Sequence, residues 1–333
     1  MKITNYIFVL FGGMMFFLTS CSGEAEWRSA NGAVWGTGYH IKYKAEKELT
    51  DSIVAEMQRI DDGVSIFNKE SNISKINSGE TDSVGREFAE LFIRSKRMCA
   101  ISKGAFDPTV CPLVELWGFG SDSARAEAPD SAMVEYVRQR VGMDDCCIDA
   151  HGRLVRKNPR TQFDFGAIAK GYGVDAVAEM LERNGCNDYM VEVGGEVRVR
   201  GLNGRGEKWH LQIDDPVESG QTGHKKLMVV ELTDCSVATS GNYRNLRELP
   251  DGRRVWHTIS PITGYPVASS TLSVTVVAPT CTTADAMATA CMAMSISEAT
   301  KLVEIQHGVS ALFVVDNGKG GVESFAIGED IFK

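Results

Sequence analysis

The stretch Phe163-Asp-Phe-Gly-Ala-Ile-Ala-Lys-Gly-Tyr-Gly-Val-Asp-Ala-Val-Ala-Glu-Met-Leu181 most constrains what this chain can fold into. It starts as an apolar strand end carrying one carboxylate, Asp164. A small-residue turn, Gly166-Ala167, leads to a single cation, Lys170, between Ala169 and Gly171. From Gly173 the apolar residues Val174, Val177, Ala178 and Leu181 fall at helical spacing. Asn184-Gly185 then supplies residue types that accept the left-handed backbone closing a helix. A glycine-rich helix entrance exposes N–H groups and the positive dipole end, so with Lys170 it can hold a phosphate. The same residues also suit a plain turn with a solvated lysine.

The rest of the chain decides between these readings. Its 333 residues suffice for one large domain or two modest ones, and 43% hydrophobic with 24% charged residues is a globular composition. A net charge of −9 with no block of Lys or Arg argues against nucleic acid as a partner, because such binding neutralises phosphates with cations.

The first residues predict export. Met1-Lys2 precedes an apolar run from Tyr6 to Leu18, too short for a permanent span, and Leu18-Thr-Ser-Cys21 resembles a bacterial lipobox. The expected organisation is a signal peptide over 1–20, a tether over 21–32 lipidated at Cys21, and a folded domain over 33–333. The protein would then be a membrane-anchored lipoprotein on the periplasmic side of a bacterial membrane. The alternative is an ordinary signal peptide with a chance cysteine. Of nine cysteines none forms CxxC and no histidine pair lies near them, so a zinc site is poorly supported.

Helices are predicted over 49–64, 86–102, 130–141, 284–294 and 295–306, the last opened by a Ser295/Glu298 capping box. Strands are predicted over 189–201 around a double glycine, and over 209–214, 227–232, 271–277, 310–315 and 322–327, with a hairpin over 146–156. Ser65–Asn77 reads as polar and turn-rich. Helices and strands interleave without a βαβ rhythm, so the expected class is α+β, one large domain of mixed or antiparallel sheets with flanking helices.

Several side chains can carry chemistry. Asp285 and Thr289 lie four apart on a predicted helix and share a face, a carboxylate and a hydroxyl suited to Mg²⁺. The bland reading is a carboxylate favouring the helix dipole and a packed threonine. His257 sits in a loop punctuated by Ser-Pro, Thr-Gly and Tyr-Pro, where it can act as a general base or simply bond a loop carbonyl. Asp107, before Pro108-Thr109, can receive a ligand group or start a turn. Phe106, Trp117 and Phe119 make an apolar loop that either packs on a core or lines a ligand. No GxxxxGK[ST], GxGxxG or GxSxG occurs, which removes loop NTPases, dinucleotide Rossmann domains and hydrolase elbows.

Taken in order, the pieces resemble one family, the FAD:protein FMN transferases of the ApbE type. They are Gly36-Thr37, Ser65-Ile-Phe-Asn68, Ile76-Asn77, Ala105-Phe-Asp-Pro-Thr-Val110 and Leu116-Trp-Gly-Phe-Gly120. Asp164–Asp175, Val193-Gly-Gly-Glu196, Thr239-Ser-Gly-Asn-Tyr-Arg244 and His257-Thr-Ile-Ser-Pro-Ile-Thr-Gly264 follow, then Ser273–Pro279 and Ala284-Asp-Ala286 with Thr289. The resemblance implies a Mg²⁺-dependent enzyme that splits FAD and attaches FMN by a phosphoester to a threonine of an acceptor flavoprotein, such as a membrane redox-pump subunit, releasing AMP. It implies Asp285 and Thr289 as metal ligands with backbone oxygens of Ala167 and Ala288. It implies Trp35, Ala105, Phe106, Asp107, Asp164, Lys170 and Ile259 as FAD contacts, and His257 as the base for the acceptor threonine. Two positions depart from the family pattern: Trp35 stands where methionine is usual, and Ser260 where aspartate is usual. A FAD pyrophosphatase passing FMN to water, or a tethered flavin-binding protein without catalysis, are the alternative readings.

Overall fold

Tyr39, Ile41, Tyr43 and Ala45 are buried while His40, Lys42 and Lys44 between them are exposed, the period-two alternation of a half-buried strand. In the computed structural model this segment belongs to an eight-stranded antiparallel sheet. The structure describes residues 24–119, 128–217, 225–242, 246–248, 252, 254–319 and 321–332. In chain order the strands are β1 (Glu26–Val34), β2 (Thr37–Ala45), β3 (Cys146–Ile148), β4 (Leu154–Arg156), β5 (Tyr189–Val193), β6 (Glu196–Arg200) and β7 (Trp209–Asp214). They continue as β8 (Lys226–Leu232), β9 (Cys235–Gly241), β10 (Leu246–Glu248), β11 (Arg254–Trp256), β12 (Thr271–Ala278), β13 (Ser310–Asp316) and β14 (Val322–Ile327). The large sheet has the order β1-β2-β5-β6-β9-β12-β13-β14, and β3–β4, β7–β8 and β10–β11 are separate antiparallel pairs. The helices are α1 (Thr50–Val64), α2 (Asn72–Ser78), α3 (Arg86–Ile101), α4 (Cys111–Leu116), α5 (Ser131–Arg138), α6 (Ala169–Arg183), α7 (Cys281–Met292) and α8 (Ile296–Glu304). The class is α+β, as the element pattern implied.

Helices α6 and α7 pack on each other and on the sheet, α6 over β5–β6 and α7 over β9–β12. The opposite face of the central strands is covered by the β7–β8 pair, whose Trp209, Ile213, Val230 and Leu232 meet Val197, Val199 and Val237. The stretch before α6 is anchored from below. Phe163 and Phe165 are fully buried against Phe88, with ring centroids 5.4 and 5.2 Å away. Asn77 holds Phe163 by both backbone groups, donating to its carbonyl at 2.7 Å and accepting its N–H at 2.8 Å.

Four expectations need correction. The tether expected over 21–32 is a strand from Glu26. Among β1's residues only Ala30 is buried, so an edge strand with a wet surface left no apolar alternation to read. Its register with β2 is fixed by a two-residue turn, Trp35-Gly36, with φ of +50° and +75°, the sign such hairpins require. The polar segment 65–77 contains α2, capped by the Ser71 hydroxyl and ended at Gly79 in a left-handed conformation. Residues 163–165 form no strand, and α6 starts at Ala169, which places Lys170 in its first turn. Helix α7 starts at Cys281 with Thr280 as its cap, three residues before the expected Thr283 cap. Helices rich in Ala and Gly show little amphipathic period, so their ends are poorly marked. Cys21 and the expected signal segment lie outside the described residues. Among the described residues no helix is long and apolar enough to cross a membrane.

The α6–α7 crossing depends on Gly171. A Cβ there would stand 2.4 Å from the Cys281 carbonyl oxygen and 2.8 Å from the Asp285 Cβ, and both obstacles belong to α7. Gly171→Ala should therefore cost about 1–3 kcal/mol through overpacking, read as a shift of the urea midpoint at unchanged slope. A midpoint equal to wild type would show that the crossing has slack.

Candidate functional site

A cavity of about 550 Å³ opens between the start of α6, the β5–β6 turn, α7 and the loop after β11. That volume lies within the range of about 300–1,000 Å³ usual for small-molecule sites. Ala105, Phe106, Asp107, Asp164, Ala167 and Lys170 line it from one part of the chain, and His257, Ile259, Asp285 and Thr289 from another. Two expected residues stand apart. Ala288 is fully buried within α7 and does not line this cavity. Trp35 faces a smaller neighbouring cavity of about 250 Å³ that shares Asp164, Gly166 and Lys170 with the larger one.

The loop ahead of α6 is set by Asp164. Its N–H donates to the Pro108 carbonyl at 2.8 Å, and its Oδ1 accepts the Gly166 N–H at 2.7 Å, closing a tight turn that presents Ala167. The N–H groups of the helix entrance are largely engaged inside the protein. Ala169 donates to the Phe165 carbonyl at 2.7 Å, Tyr172 to Ile168 at 3.0 Å, and Gly171 to Asp285 Oδ2 at 2.9 Å. The expectation of an open phosphate cradle is corrected accordingly: the charge at this helix end is a carboxylate of the protein's own, and the cation on offer is the Lys170 side chain.

Asp285 is 4% exposed, one helical turn before Thr289, whose Oγ1 lies 3.1 Å from Ser240 Oγ on β9. The Lys170 ammonium sits 2.5 Å from Glu196 Oε1. Glu196 is 3% exposed, starts β6 directly after Gly194-Gly195, and was not among the site residues expected from sequence. The turn before it needs glycine: φ is +61° and +102°, and a Cβ on Gly194 would lie 2.7 Å from Thr37 Cγ2. Burial pushes the Glu196 carboxyl up, helped by the Asp285 charge and opposed by Lys170, to about 7. Burial likewise raises Asp285, against the pull of Lys170 and the Gly171 N–H. Lys170 is raised because Glu196 and Asp285 together outweigh the effect of burial. The double-glycine turn marked this position in the sequence, but nothing there predicted that the following glutamate would be buried.

Asp107 lines the cavity and also holds its own loop. Its Oδ1 accepts from the Thr109 N–H and hydroxyl at 2.8 and 2.6 Å, and its Oδ2 from the Met143 N–H at 3.0 Å. Both oxygens are thus engaged in shaping the loop. Trp117 is 4% exposed with Nε1 donating to the Gly264 carbonyl at 2.8 Å, so it braces the His257 loop and does not line this cavity. Phe106 lines the cavity and Phe119 meets the His257 ring edge-on at 6.4 Å. Ser260 performs a turn's work: its hydroxyl accepts the Thr263 N–H at 3.2 Å, and its backbone pairs with Tyr265 and Gly264 at 2.9 and 2.8 Å.

The chain is similar to known proteins of one family. A model of the ApbE family matches residues 35–313. The chain is 32% identical to the FAD:protein FMN transferase of Haemophilus influenzae and 33% identical to that of Vibrio cholerae, in each case over 92% of both chains. It resembles the solved structure of the flavin transferase ApbE from Vibrio cholerae with a TM-score of 0.79 at 32% identity, over 91% of this chain and 97% of that one. The apo flavinyl transferase ApbE of Pseudomonas stutzeri gives 0.80 at 30% identity, over 91% and 95%.

The raised carboxyl of Glu196 sets the sign of a pH effect. The folded protein holds this proton more tightly than the unfolded chain, so the contribution is complete below the usual 4.5 and is lost as pH rises towards about 7. In cation-free protein, urea stability should fall between about pH 5 and about pH 7, with Asp285 acting in the same direction. Glu196→Gln should flatten that part of the curve. An unchanged slope in the variant would show that the group is already ionised across the window.

Proposed function

The chain belongs to the ApbE family and is a FAD:protein FMN transferase, and we propose that it splits FAD at the pyrophosphate with Mg²⁺, joins FMN by a phosphoester to a threonine of an acceptor flavoprotein, and releases AMP. The observation that carries this reading is one cavity lined by hard oxygen donors, one ammonium and one imidazole: Asp285 with Thr289, Lys170, and His257.

The residues fit a divalent cation. Asp285 and Glu196 set two buried carboxylates against the single ammonium of Lys170, and the Thr289 hydroxyl faces the same space. A buried site with excess negative charge and oxygen donors suits a hard cation. Asp285, Thr289 and the Ala167 carbonyl would hold it. When bound, the ion neutralises charge on the phosphoryl oxygens, which is where catalysis of phosphoryl transfer mostly lies.

The chain's own side chains divide the remaining work. Lys170 directs its charge at the bridging phosphates. Phe106 and Ile259 give the cavity apolar wall for a flat ring. His257 takes the proton of the acceptor threonine hydroxyl as its oxygen bonds to the FMN-side phosphorus. The bond from that phosphorus to the bridging oxygen breaks, and AMP leaves with that oxygen. We further propose that Cys21 carries a lipid and that the acceptor is met outside the cytoplasm. The motivation is the apolar run ending at Leu18-Thr-Ser-Cys21.

With FAD, Mg²⁺ and an acceptor fragment, the acceptor should gain the mass of FMN and fluoresce on a denaturing gel. Changing its target threonine to valine should abolish the signal. Asp285→Asn should remove labelling, and His257→Ala should slow it by about 10²–10⁴-fold. Free FMN and AMP appearing equally fast with and without acceptor would instead indicate hydrolysis. In cells, Cys21→Ser should move the protein from the membrane to the soluble exported fraction, and persistence in the membrane would refute the anchor.

A further inference from the structure

Glu196 is only half explained by its ion pair. One oxygen, Oε1, meets the Lys170 ammonium. The other, Oε2, is buried and bonded by no other residue, and among the described residues it is the only buried carboxylate oxygen left so. Buried polar atoms are nearly always paired, and an acceptor that carries charge is the costliest kind to strand. The residue lines the main cavity, 3% exposed, on a strand that begins at a glycine turn. Its position is therefore set by backbone, not by a flexible surface arm.

The charges around it are uneven. Among the described residues Lys170 is the only lysine or arginine lining the cavity. Asp107 has both oxygens occupied by N–H and hydroxyl donors. Asp285 and Glu196 are left to share one ammonium. A substrate pyrophosphate would bring further negative charge to the same place.

We propose that Glu196 is the second carboxylate of the cation site, holding the divalent ion through Oε2 directly or through one bound water. Lys170 is then the counter-ion that steadies the site when the ion is absent. This rests on the cation reading given above, in which Glu196 only adds to the charge of the site, and extends it by making Glu196 a ligand. Hard divalent ions take oxygen ligands, and a buried carboxylate oxygen without a donor is such a ligand. The site is then built from three elements: α7 supplies Asp285 and Thr289, the loop before α6 supplies Ala167, and β6 supplies Glu196.

The test is metal binding without FAD. Full-length protein stripped with a chelator is titrated with Mn²⁺, and free Mn²⁺ is read by electron paramagnetic resonance. Glu196→Gln should raise the dissociation constant by about 10–100-fold, the loss usual for residues that hold or orient a metal ligand. Asp285→Asn should also weaken binding. If Asp285→Asn weakens binding and Glu196→Gln does not, Glu196 only positions Lys170 and this inference fails while the cation site stands. If neither variant weakens it, the cation reading itself fails. Weakening by Glu196→Gln alone also overturns the proposal, because the two carboxylates then share no ion. Circular dichroism checks the fold, and if the Gln variant does not fold, Glu196→Asp, which keeps the charge and shortens the reach, should weaken binding in its place.

Discussion

The close contact of α6 with α7 at Gly171 is the constraint on which the site depends. At this crossing each helix satisfies the N-terminus of the other. Asp175 of α6 accepts the N–H groups of Cys281 and Thr282 at 2.9 and 2.8 Å and the Thr282 hydroxyl at 2.6 Å. Asp285 of α7 accepts the Gly171 N–H of α6. First-turn N–H groups have no partner within their own helix, and carboxylates there also meet the positive end of the dipole. The exchange answers both needs and takes two acids out of water. Arg198 balances Asp175, to which it donates at 2.9 Å. Among the described residues no arginine pairs with Asp285 in this way; its cation is Lys170, which it shares with Glu196.

This asymmetry gives the cavity its electrostatic character. Lys170 stands where two carboxylates and two cavities meet, so its ammonium serves Glu196 and Asp285 while facing open space. Lysine suits this place, being a compact charge on a flexible stem that can follow a neighbour's demand. The glycine-rich helix entrance looks like a phosphate cradle from sequence because glycine exposes N–H groups. Here it serves another end. Gly171 lets a second helix arrive, and the second helix brings the carboxylate that occupies the N–H.

The parts legible in sequence are those whose signal is local. The Ser295–Glu298 capping box is present, Asp130 caps α5 by accepting the Met133 N–H, and the double glycine turns β5 into β6. Asp285 and Thr289 share a helical face because four residues make about one turn. The parts not legible depend on distant partners. Strand β1 is recognisable only by its pairing with β2, and the buried acids Asp175 and Glu196 read as ordinary surface residues until α7 and Lys170 are placed beside them. Ala284 and Ala286, on opposite sides of α7, are both buried, and burial all round the helix erases the periodicity that would have marked its start.

Trp35 and Ser260, the two positions at which the sequence departs from the pattern it resembles, are both held by their local turns. Trp35 keeps its place at a hairpin tip because α6 has a glycine opposite: a Cβ at Gly173 would stand 2.1 Å from the indole Cη2. A large ring is accommodated by an absent side chain, and its cost in shape falls on the smaller cavity. Ser260 gives up a carboxylate yet still caps its turn, accepting the Thr263 N–H, while Ile259 pairs with Pro266 and Trp117 holds Gly264 from beneath. The loop carrying His257 is thus positioned by turn geometry and a buried indole.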